Sequence, residues 1–370
     1  MHKFLSATQY LHEELDVSYF SVEQVEKRKR LLSIRTEKTT EEEAVFESIK
    51  EKSLSQLIQL QEKYPDDFEL SKVTIDDLSD VTIEYLSDWD SLSMGVEANP
   101  DLEPILLRNI LVAEKTFLES IGSRSSLVSF LKEKGITLIE FIETVQKYTE
   151  KALEKSTLFR ATDVSVLLRH ILPNDYRWKS QFETQTSGGH LGNSYRASYE
   201  TKAFGYSIDS EYEPTARTIY GYFTPDTNGV LNNAGTNPPE NSVYQYGRAS
   251  CKIKDEAKRN TTFLFRDSLN ADMPLAPAEK PHYLSSLNQG NVRGFWEAMM
   301  REFSAASLCA AVSGRYSETQ IHGGLKMSDI ESIHLSTNNG VSEREIKDMQ
   351  IAVEEYNKNN PDNTIELVIY

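Results

Sequence analysis

The spacing of apolar residues divides the chain into two parts of different character. Up to about residue 155, Leu, Ile, Glu and Lys recur at helical spacing and glycine and proline are scarce, as in Leu54, Leu57 and Ile58. This pattern predicts a helical bundle. The predicted helices cover residues 41–63 and 102–121, and a further pair covers 125–151 with a break at Gly135.

From residue 156 onward, glycine, tyrosine, threonine and asparagine become more frequent, and the apolar runs become short and bounded by turn residues. This pattern is typical of strands joined by loops. The predicted strands cover residues 156–161, 218–223, 250–253, 261–265, 319–322 and 365–370.

Four helices are predicted within this second part. Residues 342–357 begin with Ser342 and Glu345 at the spacing of a capping box. The other helices are predicted at 163–171, 291–311 and 328–331. With 370 residues the chain is long enough for two domains. The sequence therefore predicts an α+β protein, with a helical domain at 1–155 and a β-rich domain at 156–370.

The charge of the chain restricts the classes of partner. It has 57 acidic and 40 basic residues, so its formal net charge is -17. Nucleic acids and anionic lipids also carry negative charge, which disfavours both as partners. The acidic helical half favours a basic partner, and the same half would serve equally as an inhibitory lid or a chaperone-binding element.

No apolar window approaches the roughly 18 residues of a membrane span, so we expect no membrane span. The two cysteines, Cys251 and Cys309, have neither disulfide-framework nor metal-ligand spacing, and they favour a reducing compartment. We expect a cytoplasmic protein, or one exported by a specialised secretion system.

The segment Leu158–Thr162 places Arg160 at the end of an apolar strand that leads directly into a helix. A guanidinium fixed at a cleft edge suits a diphosphate or a carboxylate. The structural alternative is an arginine whose charge is paired with a nearby acid.

A second segment, Tyr316–Gly324, begins a strand with Glu318 and ends in two glycines. This order resembles the final catalytic strand of ADP-ribosyltransferases, especially the poly-ADP-ribose polymerase branch. The resemblance implies a split β-sheet domain that takes NAD as its substrate. It also implies that Glu318 holds a ribose hydroxyl and stabilises the positive sugar centre as nicotinamide leaves.

The resemblance extends to tyrosines and to a narrower family. Tyr206 and Tyr220 correspond to the two rings that sandwich nicotinamide, although tyrosine-rich strands also serve plain packing. Roughly the C-terminal 200 residues resemble the bacterial domain-of-unknown-function family 3626. That likeness rests on the segments 181–189, 220–221, 246–251, 259–263, 267–268 and the Glu318 strand.

Two positions depart from that narrower family, Arg266 in place of a glycine and Pro214 in a shifted position, and they affect loop geometry. The resemblance implies a catalytic set of Glu318, Arg160 and Tyr220. It implies that NAD contacts come from Arg160, Thr162, Thr184, Ser187, Tyr206, Tyr220 and Gln320.

Tyr316 stands two positions before Glu318, where arginine-specific toxins carry an acid or glutamine, and this argues against arginine as the modified side chain. His190 and His322 lie beside glycine pairs without a third ligand at metal spacing. We expect these histidines to form hydrogen bonds in turns, and we expect no metal site.

The sequence thus predicts an NAD-dependent ADP-ribosyltransferase, a glycosyltransferase that transfers ADP-ribose to an acceptor. We expect a protein acceptor and the role of a bacterial effector or toxin. Two alternatives stay open. One is an NAD glycohydrolase, and the other is a non-catalytic module that binds ADP-ribose or a peptide. The oligomeric state is left open by the sequence.

Overall fold

The computed structural model describes residues 40–89, 99, 101–120, 125–135, 137, 141, 153, 156–175, 177–184, 193–206, 217–224, 246–264, 275–280, 317–337 and 340–369. Across these residues the fold is α+β, with helices and a mixed eight-stranded sheet. None of the helices within these ranges has the length and apolar character needed to cross a membrane. The helix predicted at 291–311 lies outside the described residues.

The chain divides into two compact units, one drawn from residues 1–92 and 107–146 and the other from residues 93–106 and 147–370. The described elements of the first unit are helical. They are α1 (Thr40–Lys63), α2 (Asp80–Ser87), the part of α3 (Leu102–Ser120) from residue 107 onward, and α4 (Ser125–Lys134).

A buried carboxylate fixes the start of α2 within the first unit. The Ser79 hydroxyl caps the helix by accepting a hydrogen bond from the Thr82 amide at 3.3 Å. Glu114 is fully buried, and it accepts from the Ser79 amide at 2.7 Å and from the Thr82 hydroxyl. The carboxylate thus satisfies donors at the helix N-terminus, where negative charge is favourable.

The second unit contains the sheet, whose strand order is β5-β4-β6-β2-β1-β3-β7-β8. Its neighbouring strands pair antiparallel, except for β7 and β8, which pair parallel. The strands are β1 (Thr157–Thr162), β2 (Ile219–Thr224), β3 (Ala249–Ile253), β4 (Thr261–Leu264), β5 (Ala276–Pro277), β6 (Ser317–Ile321), β7 (Ile330–Leu335) and β8 (Glu366–Ile369).

Within the described residues, four helices lie between the strands along the chain. The capping box predicted for α8 is confirmed, because the Ser342 hydroxyl accepts from the Glu345 amide at 3.3 Å and the Glu345 carboxylate accepts from the Ser342 amide at 2.9 Å. These helices are α5 (Val164–Val166), which continues as a π-helix over Leu167–Asp175, α6 (Gln181–Thr184), α7 (Asn193–Phe204) and α8 (Glu343–Asn359).

One predicted helix is replaced by a turn and a strand. The segment 328–331 was expected to be a short capped helix, whereas the structure has a 3-10 turn at Met327–Asp329 followed directly by β7. In β7 the side chains at Ile330, Ile333 and Leu335 are buried, so pairing with β3 on one side and β8 on the other outweighs the local capping pattern.

A glycine sets the approach of β3 to the end of β1. Gly247 has a φ of +136°, and a Cβ atom at this position would lie 2.0 Å from the carbonyl carbon of Thr162. Only glycine tolerates both the backbone conformation and this distance. The close approach places the four-residue ladder between the two strands directly beside Arg160.

Candidate functional site

The candidate site begins at Arg160, where the ladder between β1 and β2 ends. The two strands pair through three residues and stop at Phe159↔Tyr222, although both strands continue past that pair. In this opening the Nη1 of Arg160 donates a hydrogen bond to the Tyr220 carbonyl. The Arg160 Nε is buried and has no hydrogen-bond partner among the described residues.

Strand alternation distributes the predicted residues between the two faces of the sheet. Tyr222 pairs with Glu318 and Tyr220 pairs with Gln320, so these four side chains share one face. Phe159 belongs to the same face through its pairing with Tyr222. Arg160 follows Phe159 and therefore starts toward the other face, and its guanidinium donates to the backbone carbonyl of Tyr220.

Strand β2 can pass between its neighbours because it carries Gly221. A Cβ atom at this position would lie 2.7 Å from the Phe159 carbonyl oxygen and 2.8 Å from the Thr319 hydroxyl oxygen. Both distances are shorter than a normal contact, so a side chain here would push β2 away from the β1 backbone and force the Thr319 side chain to move. The glycine therefore keeps β1 and β6 close to β2, so that Arg160 on β1 and Glu318 on β6 are separated by this one strand.

Helix α7 contributes an arginine and a glutamate to the Tyr220 ring. Arg196 and Glu200 are four residues apart and so lie on the same side of the helix. The guanidinium carbon of Arg196 lies 4.5 Å from the Tyr220 ring centroid. The Tyr220 hydroxyl donates to Glu200 at 3.0 Å, and the buried Arg217 forms an ion pair with the same carboxylate at 3.3 Å.

These contacts define an arginine–glutamate cluster. Three guanidinium groups face two carboxylates, so the cluster has an excess of positive charge within a chain of net charge -17. The members are Arg160, Arg196, Arg217, Glu200 and Glu318, gathered around Tyr220.

Burial dominates the ionisation of the cluster. It lowers the pKa of Arg160, and repulsion from Arg196 lowers it further. Burial also lowers the pKa of Arg196, but Tyr220, Glu318 and Glu200 together raise it above its ordinary value. Glu200 has its pKa raised to about 7 by burial, against the opposing effects of the Tyr220 hydroxyl and Arg217.

Glu318 is the second carboxylate of the cluster, and it is 5% exposed. Its Oε1 accepts a hydrogen bond from the Gln320 amide at 2.7 Å. The charge of Glu318 raises the pKa of Arg196, and with burial and Glu200 it raises the pKa of Tyr220. The carboxylate therefore acts electrostatically on Tyr220, which Glu200 contacts, and on Arg196, which lies over the Tyr220 ring.

The remaining predicted site residues lie in different surroundings. Thr162 is buried at the end of β1, next to Gly247. Tyr206 is fully buried, and its hydroxyl forms a hydrogen bond with His322 at 3.0 Å. This burial leaves the Tyr206 ring without an exposed face for a nicotinamide to stack on. Tyr220, by contrast, is only half-buried.

Two predicted NAD contacts are not placed. Thr184 is the last residue of α6, and the environment of its side chain is not described. Ser187 lies outside the described residues. The predicted roles of both residues stay predictions.

Sequence reasoning missed Arg196 and Glu200 because α7 was not predicted. The segment Asn193–Phe204 has a polar composition and no apolar stripe, so hydrophobic periodicity gave no helix. The available signal was the i, i+4 spacing of an arginine and a glutamate, which stabilises a helix when both lie on one face.

No protein-family model matches this chain, and no curated protein gives a significant match to it. The resemblance to ADP-ribosyltransferases therefore rests on the residues of the chain itself and on the site that these residues form.

Proposed function

We propose that the β-rich region is an NAD-dependent ADP-ribosyltransferase, which releases nicotinamide from NAD and transfers ADP-ribose to a protein acceptor. The proposal is carried by one arrangement. An arginine on β1 and a glutamate on β6 flank β2, in a cluster that also contains a second arginine and a half-buried tyrosine. The eight strands form one continuous sheet, so the split sheet stays part of this proposal, and we take the end of the three-residue β1–β2 ladder as the place where such a sheet would part.

The arginines support binding of a diphosphate. The Nε atoms of Arg160 and Arg196 are both buried without a hydrogen-bond partner in the described part of the chain. An unpartnered buried donor is costly, so a ligand that accepts from it gains affinity. Guanidinium groups present their donors as a planar fork that fits phosphate oxygens. The two phosphates of NAD would therefore bind at the opening beside Tyr220.

Glu318 supports cleavage of the bond between nicotinamide and ribose. An ionised carboxylate next to the sugar stabilises the positive charge that develops as nicotinamide leaves, and its interaction with a ribose hydroxyl strengthens in the transition state. The Gln320 amide donates to the Glu318 carboxyl group and holds it in position. Glu318 is accordingly the catalytic residue of the proposal.

Tyr220 supports binding of the nicotinamide ring. One face of the Tyr220 ring is covered by Arg196, and its hydroxyl is held by Glu200. The ring is thus fixed in position while part of it stays exposed. A fixed, partly exposed aromatic ring suits offset stacking with a flat heterocycle.

A second candidate function is a non-catalytic module that binds ADP-ribose or NAD without turnover. The low exposure of Glu318, 5%, favours this candidate, because a carboxylate so enclosed must be reached through the cluster. Calorimetry with NAD, combined with measurement of nicotinamide, separates the two. Binding without nicotinamide release supports the module.

The test of the proposed function is release of nicotinamide from NAD by the purified full chain, followed by chromatography. The Glu318→Gln protein is expected to lose the activity and to keep NAD binding. Glu366→Gln, a change at an exposed strand glutamate, is the matched control and should keep full activity. Wild-type activity in Glu318→Gln would remove Glu318 from the reaction, and labelled NAD incubated with a cell lysate would separate transfer from hydrolysis.

A further inference from the structure

A continuous row of hydrogen bonds runs through the interior from Tyr206 to Glu318. Tyr206 bonds His322 Nδ1 at 3.0 Å, and His322 Nε2 bonds the Thr262 hydroxyl at 2.9 Å. The Thr262 hydroxyl donates to the Gln320 Oε1 at 3.0 Å, and the Gln320 Nε2 donates to the Glu318 Oε1 at 2.7 Å. We refer to these five side chains as the Glu318 relay.

The Gln320 amide, which donates to the Glu318 carboxyl group, sets the direction of every proton in the relay. A carboxylate oxygen accepts, so the Gln320 amide must turn its nitrogen toward Glu318 and its oxygen toward Thr262. The Thr262 hydroxyl then donates its single hydrogen to the Gln320 oxygen. Its own oxygen must therefore accept from the Nε2–H of His322. His322 is left with Nδ1 as an acceptor, which the Tyr206 hydroxyl fills.

The surroundings of the relay keep it in this one arrangement. The His322 ring packs edge-on against Phe204, with ring centroids 4.9 Å apart. Burial lowers the pKa of His322 to about 3, so the ring stays neutral and can donate and accept at the same time. The five side chains of the relay are nearly or fully buried. Buried polar networks whose members all have partners are rigid.

We propose that the Glu318 relay positions the Glu318 carboxylate for cleavage of NAD, so that Gln320, Thr262, His322 and Tyr206 are positioning residues of the reaction. The inference rests on the proposed function. Tyr206 was predicted to stack on nicotinamide. In this proposal it instead supports Gln320 through a row of three hydrogen bonds. The relay also explains a buried histidine that bonds side chains at both ring nitrogens.

The test breaks the relay at its centre. Thr262→Val keeps the shape of the side chain and removes the hydroxyl, while Thr262→Ser restores the hydroxyl. Thr261→Val is the matched control, because Thr261 is equally buried on β4 and bonds only the Ala257 carbonyl from the other face. All three proteins would be compared by kcat and KM for nicotinamide release and by thermal melting.

Thr262→Val is expected to lower kcat about 10- to 100-fold with little change in KM, since a small displacement of a catalytic group costs this much. Thr262→Ser should recover most of the lost activity, and Thr261→Val should keep its kcat. An unchanged kcat in Thr262→Val, or an equal loss in Thr261→Val, would overturn the positioning role and leave the proposed function standing.

A second measurement tests the relay independently of nicotinamide release. The ¹⁵N spectrum of histidine in the full chain should show a neutral His322 protonated at Nε2 down to pH 5, with His322→Gln used to assign the signal. Protonation at Nδ1, or a charged ring at that pH, would overturn the relay. Failure of the wild-type protein to release nicotinamide would instead remove the proposed function, which distinguishes the two failures.

Discussion

Arg196 lies over the ring of Tyr220, with its guanidinium carbon 4.5 Å from the ring centroid. The Tyr220 hydroxyl meanwhile donates to Glu200, one turn further along the same helix. One turn of α7 thus contacts Tyr220 twice, with Arg196 on one face of the ring and Glu200 at the hydroxyl. Under the proposed function, nicotinamide would stack on the opposite face of the ring, and the guanidinium would bind a phosphate.

The first prediction concerns that guanidinium. Arg196→Gln is expected to weaken NAD binding by about 10-fold, because a charge-assisted hydrogen bond of roughly 1.4 kcal/mol is lost. Calorimetry with NAD measures the change. Lys202→Gln removes an exposed cation from the same helix and serves as the control. Equal NAD affinities of Arg196→Gln and the wild-type protein would contradict a phosphate-binding role.

The second prediction separates the ring of Tyr220 from its hydroxyl. Tyr220→Phe keeps the aromatic surface, so kcat/KM for NAD should stay within about 3-fold of the wild type, whereas Tyr220→Ala should lose at least about 10-fold through the missing stacking energy. Nicotinamide release gives both values. If the two variants lose activity equally, the hydroxyl bond to Glu200 would be the important feature, and stacking on the ring would not be.

The third prediction concerns the spacing of β1, β2 and β6. Gly221→Ala is expected to lower the free energy of unfolding by about 1–3 kcal/mol, the usual cost of overpacking. The Thr319 hydroxyl can rotate away from the new methyl group, but the Phe159 carbonyl belongs to the backbone and cannot. Urea unfolding measures the loss. An unchanged midpoint would show that β2 moves freely between its neighbours.

Much of the sheet could be predicted from the sequence because its strands are short apolar runs between turn residues. The strands at 156–161 and 218–223 were predicted within one residue of β1 and β2. β7 was missed because Ser328 and Asp329 imitate a helix cap, although these residues only form the turn before a strand. Local capping patterns cannot report the partners that make Ile330–Leu335 a buried strand.

The candidate site was harder to predict than the sheet. Arg160 was singled out because it lies in an apolar strand, whereas Tyr220 and Glu318 were singled out through the resemblance to ADP-ribosyltransferases. Arg196 and Glu200 were missed because they share the buried side of α7 with the small residues Ala197 and Ala203, a mixture that gives too weak an apolar pattern for hydrophobic periodicity to detect. Their partners become visible only when α7 is packed against β2.

The face to which each strand residue points was also beyond the sequence. The resemblance implies that Arg160 and Glu318 belong to one catalytic set, yet pairing through Tyr222 starts their side chains toward opposite faces of the sheet. Alternation within one strand is readable from a sequence, but the register between strands is not.

The last prediction concerns the pH dependence of stability that Glu200 confers. Its pKa is raised from 4.5 to about 7, chiefly by burial. Between these two values the folded protein holds a proton that the unfolded chain has released. The unfolded state binds fewer protons in this window, so stability falls as the pH rises from 4.5 to 7 and is level on either side.

Glu200→Gln removes this titration and leaves the rest of the cluster in place. The wild-type protein should therefore lose stability relative to the variant on going from pH 5 to pH 8, by on the order of 3 kcal/mol, since one pKa unit corresponds to about 1.4 kcal/mol. Urea unfolding of both proteins at the two pH values gives the difference, with Glu366→Gln as the baseline.

The absolute stability of Glu200→Gln will also reflect the lost ion pair with Arg217, so only the change with pH tests the pKa. A difference that stays constant, or that grows in favour of the wild type at pH 8, would mean that the Tyr220 hydroxyl and the neighbouring arginines already ionise Glu200 at pH 5. The cluster would then carry more negative charge, and its attraction for a diphosphate would be correspondingly weaker.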